Sequence, residues 1–244
     1  MVAMAERRGD TLLGLLWSAE GKEDGAGMIA TMIEGPRIEP AGGPAKRLVV
    51  FLHGYGADGN DLIDIGRLWA PLMPDTAFVS PHAPEPCGEA PTGRQWFPLA
   101  GIDPVKLREG VVTAAPILDA FLDQELLSHR LGEDRLVLVG FSQGAMMALH
   151  VAPRRAKALA GVVGYSGLLP GPEFLKSEAR QHPPMLLVHG DADQLIPSMA
   201  LYAAARVLGD AGFQVEWHIR PGLGHGIDQE GLDLGAAFVK RVLA

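Results

Sequence analysis

Residues 140–144 read Gly-Phe-Ser-Gln-Gly and follow an apolar run at residues 135–139. That run predicts a buried strand, and the good helix formers at residues 145–150 predict a helix. A G-x-S-x-G motif between a strand and a helix is typical of a nucleophile elbow, in which the serine lies on a tight, strained turn at the end of a sheet. We therefore predict that Ser142 is a nucleophile and that the backbone N–H of Gln143 points at the oxyanion formed in its attack.

Strand and helix patterns alternate along the rest of the chain. Apolar runs predict further strands at residues 46–52, 76–79, 159–165, 184–188 and 213–220. Apolar residues at helical spacing predict helices at residues 60–73, 105–129, 197–209 and 231–243. This alternation predicts an α/β fold with a mostly parallel, doubly wound sheet. Residues 28–33 are expected to add an antiparallel edge strand.

The sequence contains no internal repeat and no linker long enough to split the chain. We predict one domain at residues 28–244, preceded by an N-terminal extension at residues 1–27. The extension carries Arg7 and Arg8 before a short apolar run at residues 11–17, as in a secretory signal peptide. Acidic residues follow without a clear small-residue cleavage site, so we expect the run to pack against the body or a second subunit, with a signal peptide as the alternative.

Composition excludes several classes of partner. The net charge of −8 argues against binding to nucleic acid or to an anionic membrane surface. Cys87 is the single cysteine, so no intrachain disulfide can form. No apolar stretch approaches the roughly 20 residues of a membrane span. We expect a cytoplasmic protein without stable membrane insertion.

A serine nucleophile in such an elbow is followed along the chain by an acid and then by a histidine. The histidines beyond the elbow helix are His182, His189, His218 and His225. His182 lies in a polar stretch before two prolines. Between Ser142 and His189 the only acidic residues are glutamates in an irregular segment, which offers no well-placed acid for His189. His218 lies on the polar face of the last predicted strand. His225 lies in a glycine-rich loop after that strand, which can carry it back over the sheet, so we predict that His225 is the general base.

Two aspartates follow the predicted strand at residues 184–188. The spacing of Asp191 and Asp193 does not separate them, because either one can be the acid while the other caps the turn or the next helix.

The second oxyanion donor is expected from the loop after an early strand. Residues 52–56 read Leu-His-Gly-Tyr-Gly, and their glycines allow the backbone to approach a substrate oxygen. We predict that Tyr55 contributes its N–H and that its ring lines the pocket. His53 precedes the serine, which is the wrong order for the base, and is interpreted as a structural histidine that pins the loop.

Several motifs, taken in their order along the chain, resemble those of the phospholipase/carboxylesterase family of α/β-hydrolases. This family includes small bacterial carboxylesterases and acyl-protein thioesterases. The motifs are L-H-G-Y-G-A-D at 52–58, P-H-A-P at 81–84, Q-W-F at 95–97, G-F-S-Q-G at 140–144, H-G-D-A-D at 189–193 with I-P at 196–197, and G-H at 224–225. The resemblance covers about residues 46–240. The sequence departs from many members at Ala145, where they carry a second glycine, and in its longer N-terminal segment.

The resemblance implies an α/β-hydrolase fold without a large lid domain. It implies that Asp193 is the triad acid, that Tyr55 and Gln143 supply the oxyanion amides, and that Trp96 lies beside the acyl groove. Since the only cover for Ser142 is the loop at residues 81–101, we expect an open groove.

We therefore expect a serine carboxylesterase that hydrolyses short- to medium-chain esters, needs no cofactor and acts as a monomer or a homodimer. Thioesters and lysophospholipids are alternative substrates, since all three pass through the same acyl-enzyme. A non-catalytic binding protein on the same fold is the alternative from another class. A cysteine nucleophile at Cys87 is disfavoured because the elbow carries serine. No histidine or carboxylate spacing indicates a metal site.

Overall fold

The computed structural model describes residues 33–88, 90, 92–99 and 101–244. The predicted extension at residues 1–27 lies outside them, as does most of the edge strand predicted at residues 28–33. In chain order the strands are β1 (Arg37–Ile38), β2 (Arg47–Leu52), β3 (Thr76–Val79), β4 (Glu85–Pro86), β5 (Arg94–Gln95), β6 (Leu136–Phe141), β7 (Gly161–Tyr165), β8 (Met185–Gly190) and β9 (Val215–Arg220). The helices are α1 (Gly59–Trp69), α2 (Pro104–His129), α3 (Gln143–Val151), α4 (Pro172–Glu178), α5 (Met199–Asp210) and α6 (Gln229–Val242).

Seven strands form one sheet in the order β1-β3-β2-β6-β7-β8-β9. Every neighbouring pair is parallel except β1 and β3, which are antiparallel. The prediction of a mostly parallel, doubly wound sheet is confirmed. The antiparallel edge strand in the described chain is β1, which begins after the predicted residues 28–33. The hairpin of β4 with β5 and helix α4 were not predicted.

The sheet is buried on both faces by two separate apolar cores. Helices α2, α3 and α5 pack on one face and α1 and α6 on the other. The central strands are apolar throughout because successive side chains alternate between these cores. In β2, for example, Leu48, Val50 and Leu52 enter the first core, while Val49 and Phe51 enter the second.

Parallel strands end at the same edge of a sheet, so the loops after their carboxyl ends lie together. The segments that follow β2, β6, β7, β8 and β9 carry Gly54, Ser142, Ser166, Asp193 and His225, respectively. The sheet therefore brings residues from five distant parts of the chain to one edge. Within residues 33–244, no helix that the structure describes has both the length and the hydropathy of a membrane span.

Candidate active site

Ser142 lies on the turn between β6 and α3, as the motif predicts. Its backbone has φ 54° and ψ −116°, a conformation that side-chain-bearing residues rarely adopt. The turn is held on both sides, because Ser142 N donates to Tyr165 O at 2.9 Å and Ser142 O accepts from Met146 N at 3.1 Å. A β-carbon at Gly144 would lie 1.9 Å from Leu52 O, so only glycine fits where α3 begins against β2.

His225 stands between Ser142 and Asp193. Its Nε2 atom is 3.0 Å from Ser142 Oγ, and its Nδ1 atom is 2.8 Å from Asp193 Oδ2. An ionised carboxylate can only accept, so Nδ1 carries the proton, and Nε2 is left to accept the serine hydroxyl. The structure thus brings the three predicted residues together although 83 and 32 positions of sequence separate the partners of His225.

The Asp193 carboxylate is fully buried and accepts hydrogen bonds on both oxygens. Its Oδ1 accepts from the backbone N–H groups of Leu195 and Ile196, each at 2.9 Å. Its Oδ2 lies 2.8 Å from His225 Nδ1 and 3.1 Å from His189 Nε2. Burial by itself raises the pKa of Asp193, but these amide donors and His225 outweigh it, so the pKa lies below its usual range. The acid is therefore ionised at neutral pH.

Asp191 lies elsewhere, although it is only two residues away. Its exposed Oδ1 accepts from Gly222 N at 2.6 Å and so stabilises the turn that leads into the loop of His225. The geometry separates the two aspartates that local spacing could not separate. His189 is not placed to act as the general base, because its buried Nε2 atom is 2.8 Å from Ile196 O and is engaged there.

Ser166 supports the His225 loop and was missed in the sequence. It is buried, has φ 47°, and donates its hydroxyl to Gly226 O at 3.1 Å. The ring of Phe141 packs at 5.0 Å from the imidazole of His225. The position of Ser166 directly after a predicted strand was the available signal, since polar residues at carboxyl ends of parallel strands meet at the site.

The loop after β2 passes directly beside the nucleophile. A β-carbon at Gly54 would lie 3.3 Å from Ser142 Cβ, so Gly54 lies against the side chain of Ser142. The half-buried Tyr55 follows Gly54 in the same loop. Gln143 is the first residue of α3, where N–H groups have no acceptor within the helix.

His53 pins this loop from within the core, as the sequence predicts. It is fully buried, its Nδ1–H donates to Gly54 O at 2.8 Å, and its Nε2 accepts from Ala83 N at 3.0 Å. Burial lowers the pKa of His53 to about 4, so the ring is neutral near pH 7. Both nitrogens are occupied, which leaves no lone pair to act as a base.

Trp96, which the resemblance places beside the acyl groove, is a buried residue of this structure. Its side chain is 1 % exposed, and its indole Nε1 donates to His53 O at 3.0 Å. Its backbone N donates to the side-chain Oε1 of Gln143 at 2.9 Å. The structure therefore places Trp96 inside the protein, between the elbow and the loop after β2.

An apolar cavity of about 260 Å³ lies along the segment that follows β7. Its walls come from that segment, the start of α2 and helix α5, and include Leu107, Leu168, Leu169, Pro170, Ala200 and Val207. The neighbouring Gly167 reaches the elbow, because a β-carbon there would lie 3.3 Å from Ser142 O. Within the described residues, no three His, Cys, Asp or Glu side chains are grouped to hold a metal ion.

Comparison with known proteins agrees with this architecture. The phospholipase/carboxylesterase family model matches residues 33–243. The esterase YpfH of Escherichia coli (strain K12) is 32 % identical over 190 residues, which cover 78 % of this chain and 80 % of that protein. Acyl-protein thioesterase 1 of Gibberella zeae is 29 % identical over 225 residues, which cover 85 % of this chain and 95 % of that protein.

The crystal structure of esterase PE8 superposes with a TM-score of 0.85 at 44 % sequence identity, covering 87 % of this chain and all of that one. The region that the family model matches, residues 33–243, includes the sheet, both helical layers and the loops that carry Gly54, Ser142, Ser166, Asp193 and His225. The chain belongs to the phospholipase/carboxylesterase family of α/β-hydrolases, a family of carboxylic ester hydrolases.

Proposed function

We propose that this protein is a serine carboxylesterase in which Ser142, His225 and Asp193 form the catalytic triad. The observation that carries this proposal is the unbroken hydrogen-bond chain from Ser142 Oγ through His225 to Asp193, with distances of 3.0 and 2.8 Å. The buried, ionised acid stabilises the protonated imidazole that forms during the reaction.

In the proposed reaction, Ser142 Oγ attacks the ester carbonyl carbon while its proton passes to His225 Nε2. The carbonyl oxygen becomes an oxyanion and accepts hydrogen bonds from the N–H groups of Tyr55 and Gln143. Collapse of this intermediate breaks the ester bond, and His225 gives its proton to the departing alcohol oxygen. Water, deprotonated by His225, then attacks the acyl-enzyme through the same steps and releases the acid and Ser142.

The apolar cavity beside the segment after β7 is an observation in favour of substrates with a short- to medium-chain acyl group. Its volume of about 260 Å³ is below the roughly 300–1,000 Å³ of sites for drug-sized ligands. Its lining is almost wholly aliphatic, so each buried methylene would add about 0.8 kcal/mol of binding. Leu168 lies one residue beyond Gly167, the point where this segment meets the elbow.

Thioester hydrolysis is the second candidate function. A relative that matches most of this chain is an acyl-protein thioesterase. A thiol leaving group passes through the same acyl-enzyme, so the triad serves both reactions. Comparison of kcat/KM on oxygen esters and thioesters with the same acyl chain distinguishes the two candidates.

The triad assignment is tested with Ser142→Ala and with Ser177→Ala, at an exposed serine of α4, as a matched serine control. We expect Ser142→Ala to lower kcat by several orders of magnitude while the protein stays folded, as loss of a triad nucleophile does. A fluorophosphonate should label the wild type at Ser142, as read by peptide mass spectrometry, and should also label Ser177→Ala. Normal turnover in Ser142→Ala, or labelling at a different residue, would contradict the proposal.

A further inference from the structure

A short segment that includes β5 joins the two halves of the proposed oxyanion hole. Its backbone pairs with the loop after β2, because Arg94 N donates to Ala57 O at 2.7 Å and Arg94 O accepts from Gly56 N at 2.9 Å. Two residues later, Trp96 reaches both that loop and the elbow. The segment therefore contacts the two chain regions that carry the proposed oxyanion donors.

The side chain of Gln143 forms the contact on the elbow side. Its Oε1 accepts from Trp96 N at 2.9 Å, and its Nε2 donates to Phe97 O at 2.8 Å. Because Gln143 is fully buried, both bonds are shielded from competing water. The same residue supplies the proposed oxyanion N–H from its backbone, so its side chain ties that backbone to residues 96–97.

The indole of Trp96 forms the contact on the other side, by donating to His53 O at 3.0 Å. His53 in turn donates its Nδ1–H to Gly54 O at 2.8 Å. Gly54 O and Tyr55 N belong to one planar peptide unit, in which the N–H points opposite to the C=O. Fixing Gly54 O therefore fixes the direction of the Tyr55 N–H.

We propose that Trp96 is a positioning residue that sets the Tyr55 and Gln143 amides relative to each other. It binds Gln143 through its backbone N–H and His53 through its indole N–H, and His53 orients the Tyr55 peptide. The inference rests on the proposed function, since it assigns a purpose to the two oxyanion amides. Trp96 touches no reacting atom and acts through these neighbours.

The test compares Trp96→Phe with Trp69→Phe. Trp96→Phe removes the indole N–H and keeps an aromatic ring. Trp69 is also buried, at 2 % exposure, but it packs against Phe51 in the core on the opposite face of the sheet. Trp69→Phe therefore measures what the loss of a buried indole does to stability and turnover without touching the oxyanion loops.

We expect Trp96→Phe to lower kcat by about 10- to 100-fold while KM changes little, because displaced donors weaken transition-state binding more than substrate binding. The affinity of an alkyl boronic acid, which forms a tetrahedral adduct with the serine, should fall by the same factor as kcat/KM. Trp69→Phe should keep the wild-type kcat even where its melting temperature falls. Equal kcat in the two variants at equal folded fractions would overturn the proposal.

Gln143→Met provides a second, near-isosteric variant that breaks the bridge from the elbow side. Trp96→Phe and Gln143→Met disrupt the same connection. The double variant should therefore have about the same kcat as whichever single variant has the lower kcat. Multiplicative losses would mean that the two residues act separately and would also overturn the proposal. If Trp96→Phe does not fold, Gln143→Met serves as the test. Folded Gln143→Met with the wild-type kcat and the wild-type affinity for the boronic acid would overturn the proposal.

Fluorophosphonate labelling of the wild type separates this inference from the proposed function. Labelling at Ser142 together with unchanged turnover in Trp96→Phe would remove the positioning role alone. Absence of labelling at Ser142 in an active wild-type enzyme would remove the triad assignment and the positioning role with it. Labelling at Ser142 with the expected loss of kcat supports both.

Discussion

The Nε2 atom of His189 lies 3.1 Å from Asp193 Oδ2. The hydrogen bond of this nitrogen goes to the backbone, because Nε2 lies 2.8 Å from Ile196 O and donates its N–H to that carbonyl. His189 side-chain exposure is 1 %, and Asp193 has none. A second buried histidine thus contacts the carboxylate that is paired with His225, and it holds Ile196, whose backbone N–H donates to Asp193 Oδ1.

His189→Phe is expected to lower kcat by up to about 10-fold, because it removes the hydrogen bond to Ile196 O, worth about 0.5–1.5 kcal/mol, and so loosens the turn whose amides hold the Asp193 carboxylate. His189→Gln retains an amide N–H and should lose less. Steady-state kinetics on one ester checks both variants, with circular dichroism to confirm folding. Wild-type kcat in folded His189→Phe would show that Asp193 is held without His189.

Asp193→Asn is expected to reduce kcat by about 10⁴-fold, because an amide in place of the carboxylate favours the wrong tautomer of His225. Asp191→Asn keeps an oxygen that can accept from Gly222 N and should retain most of the activity. The two variants differ from wild type by the same chemical change, so their kcat values can be compared directly. A larger loss at Asp191 would reverse the assignment.

Activity on p-nitrophenyl esters is expected to rise with acyl length and then level off. Each methylene that enters the apolar cavity should raise kcat/KM by up to about 4-fold, which corresponds to about 0.8 kcal/mol, and methylenes left in water should add almost nothing. Ala200→Phe fills part of the cavity and should move the plateau to shorter esters. Ala205→Phe, on the same helix but outside the lining, is the control. A preference that increases through palmitate would contradict a cavity of this size.

Chelation of metal ions is expected to leave the activity unchanged. The proposed chemistry uses only Ser142, His225, Asp193 and backbone amides, and the described residues hold no cluster of metal ligands. The measurement is kcat before and after prolonged dialysis against EDTA. Loss of activity that a single divalent metal restores would show that a metal takes part.

Stability is expected to fall on acidification below about pH 6.5, the usual pKa of histidine in an unfolded chain. Burial lowers the pKa of His53 to about 4, and burial with Arg154 and Arg108 nearby lowers that of His150 to about 3. Between pH 6.5 and 4 the unfolded chain therefore binds protons that the folded chain does not. Above pH 6.5 both rings are neutral in the folded and in the unfolded chain, so protonation of these histidines no longer lowers the stability.

The size of the effect follows from the same linkage. Each histidine contributes up to about 1.4 kcal/mol per pH unit, so urea unfolding at pH 7.5 and pH 5 should differ measurably. His150→Leu removes a buried ring whose Nδ1 atom has no hydrogen-bond partner among the residues that the structure describes, and it should weaken the pH dependence. An unchanged slope in this variant would show that His150 is not buried as a neutral ring.

Local patterns were sufficient to predict β2, β3, β6, β7, β8 and β9, every described helix except α4, and the turn that carries Ser142. The elbow is a short-range feature, because a strand, a tight turn and a helix are all encoded within about a dozen residues. His225 was predicted by elimination, since chain order and a glycine loop left no equal candidate. Whether Asp191 or Asp193 pairs with His225 depends on how the loops after β8 and β9 pack together. The spacing of residues in the sequence carries no information on that packing.

Long-range contacts account for the features that were not predicted. The bond from Ser166 to Gly226 and the bridge from Gln143 to Trp96 each join residues that only the folded sheet brings together. Trp96 illustrates the difference, because its motif gave no sign of the hydrogen bonds that its backbone and indole N–H groups make to Gln143 and His53. Helix α4 is only seven residues long and carries a weak apolar pattern, so its sequence resembles an irregular segment.

The backbone of Ser142, at φ 54° and ψ −116°, has a consequence for how this site can change over evolution. Such a conformation costs a residue with a β-carbon about 1–3 kcal/mol, and glycine avoids most of that cost. Under the proposed mechanism, the residue at position 142 that would best stabilise the fold differs from the residue that the reaction needs. A lineage under selection for stability alone would drift toward glycine there, and the serine persists only as long as its hydroxyl is used.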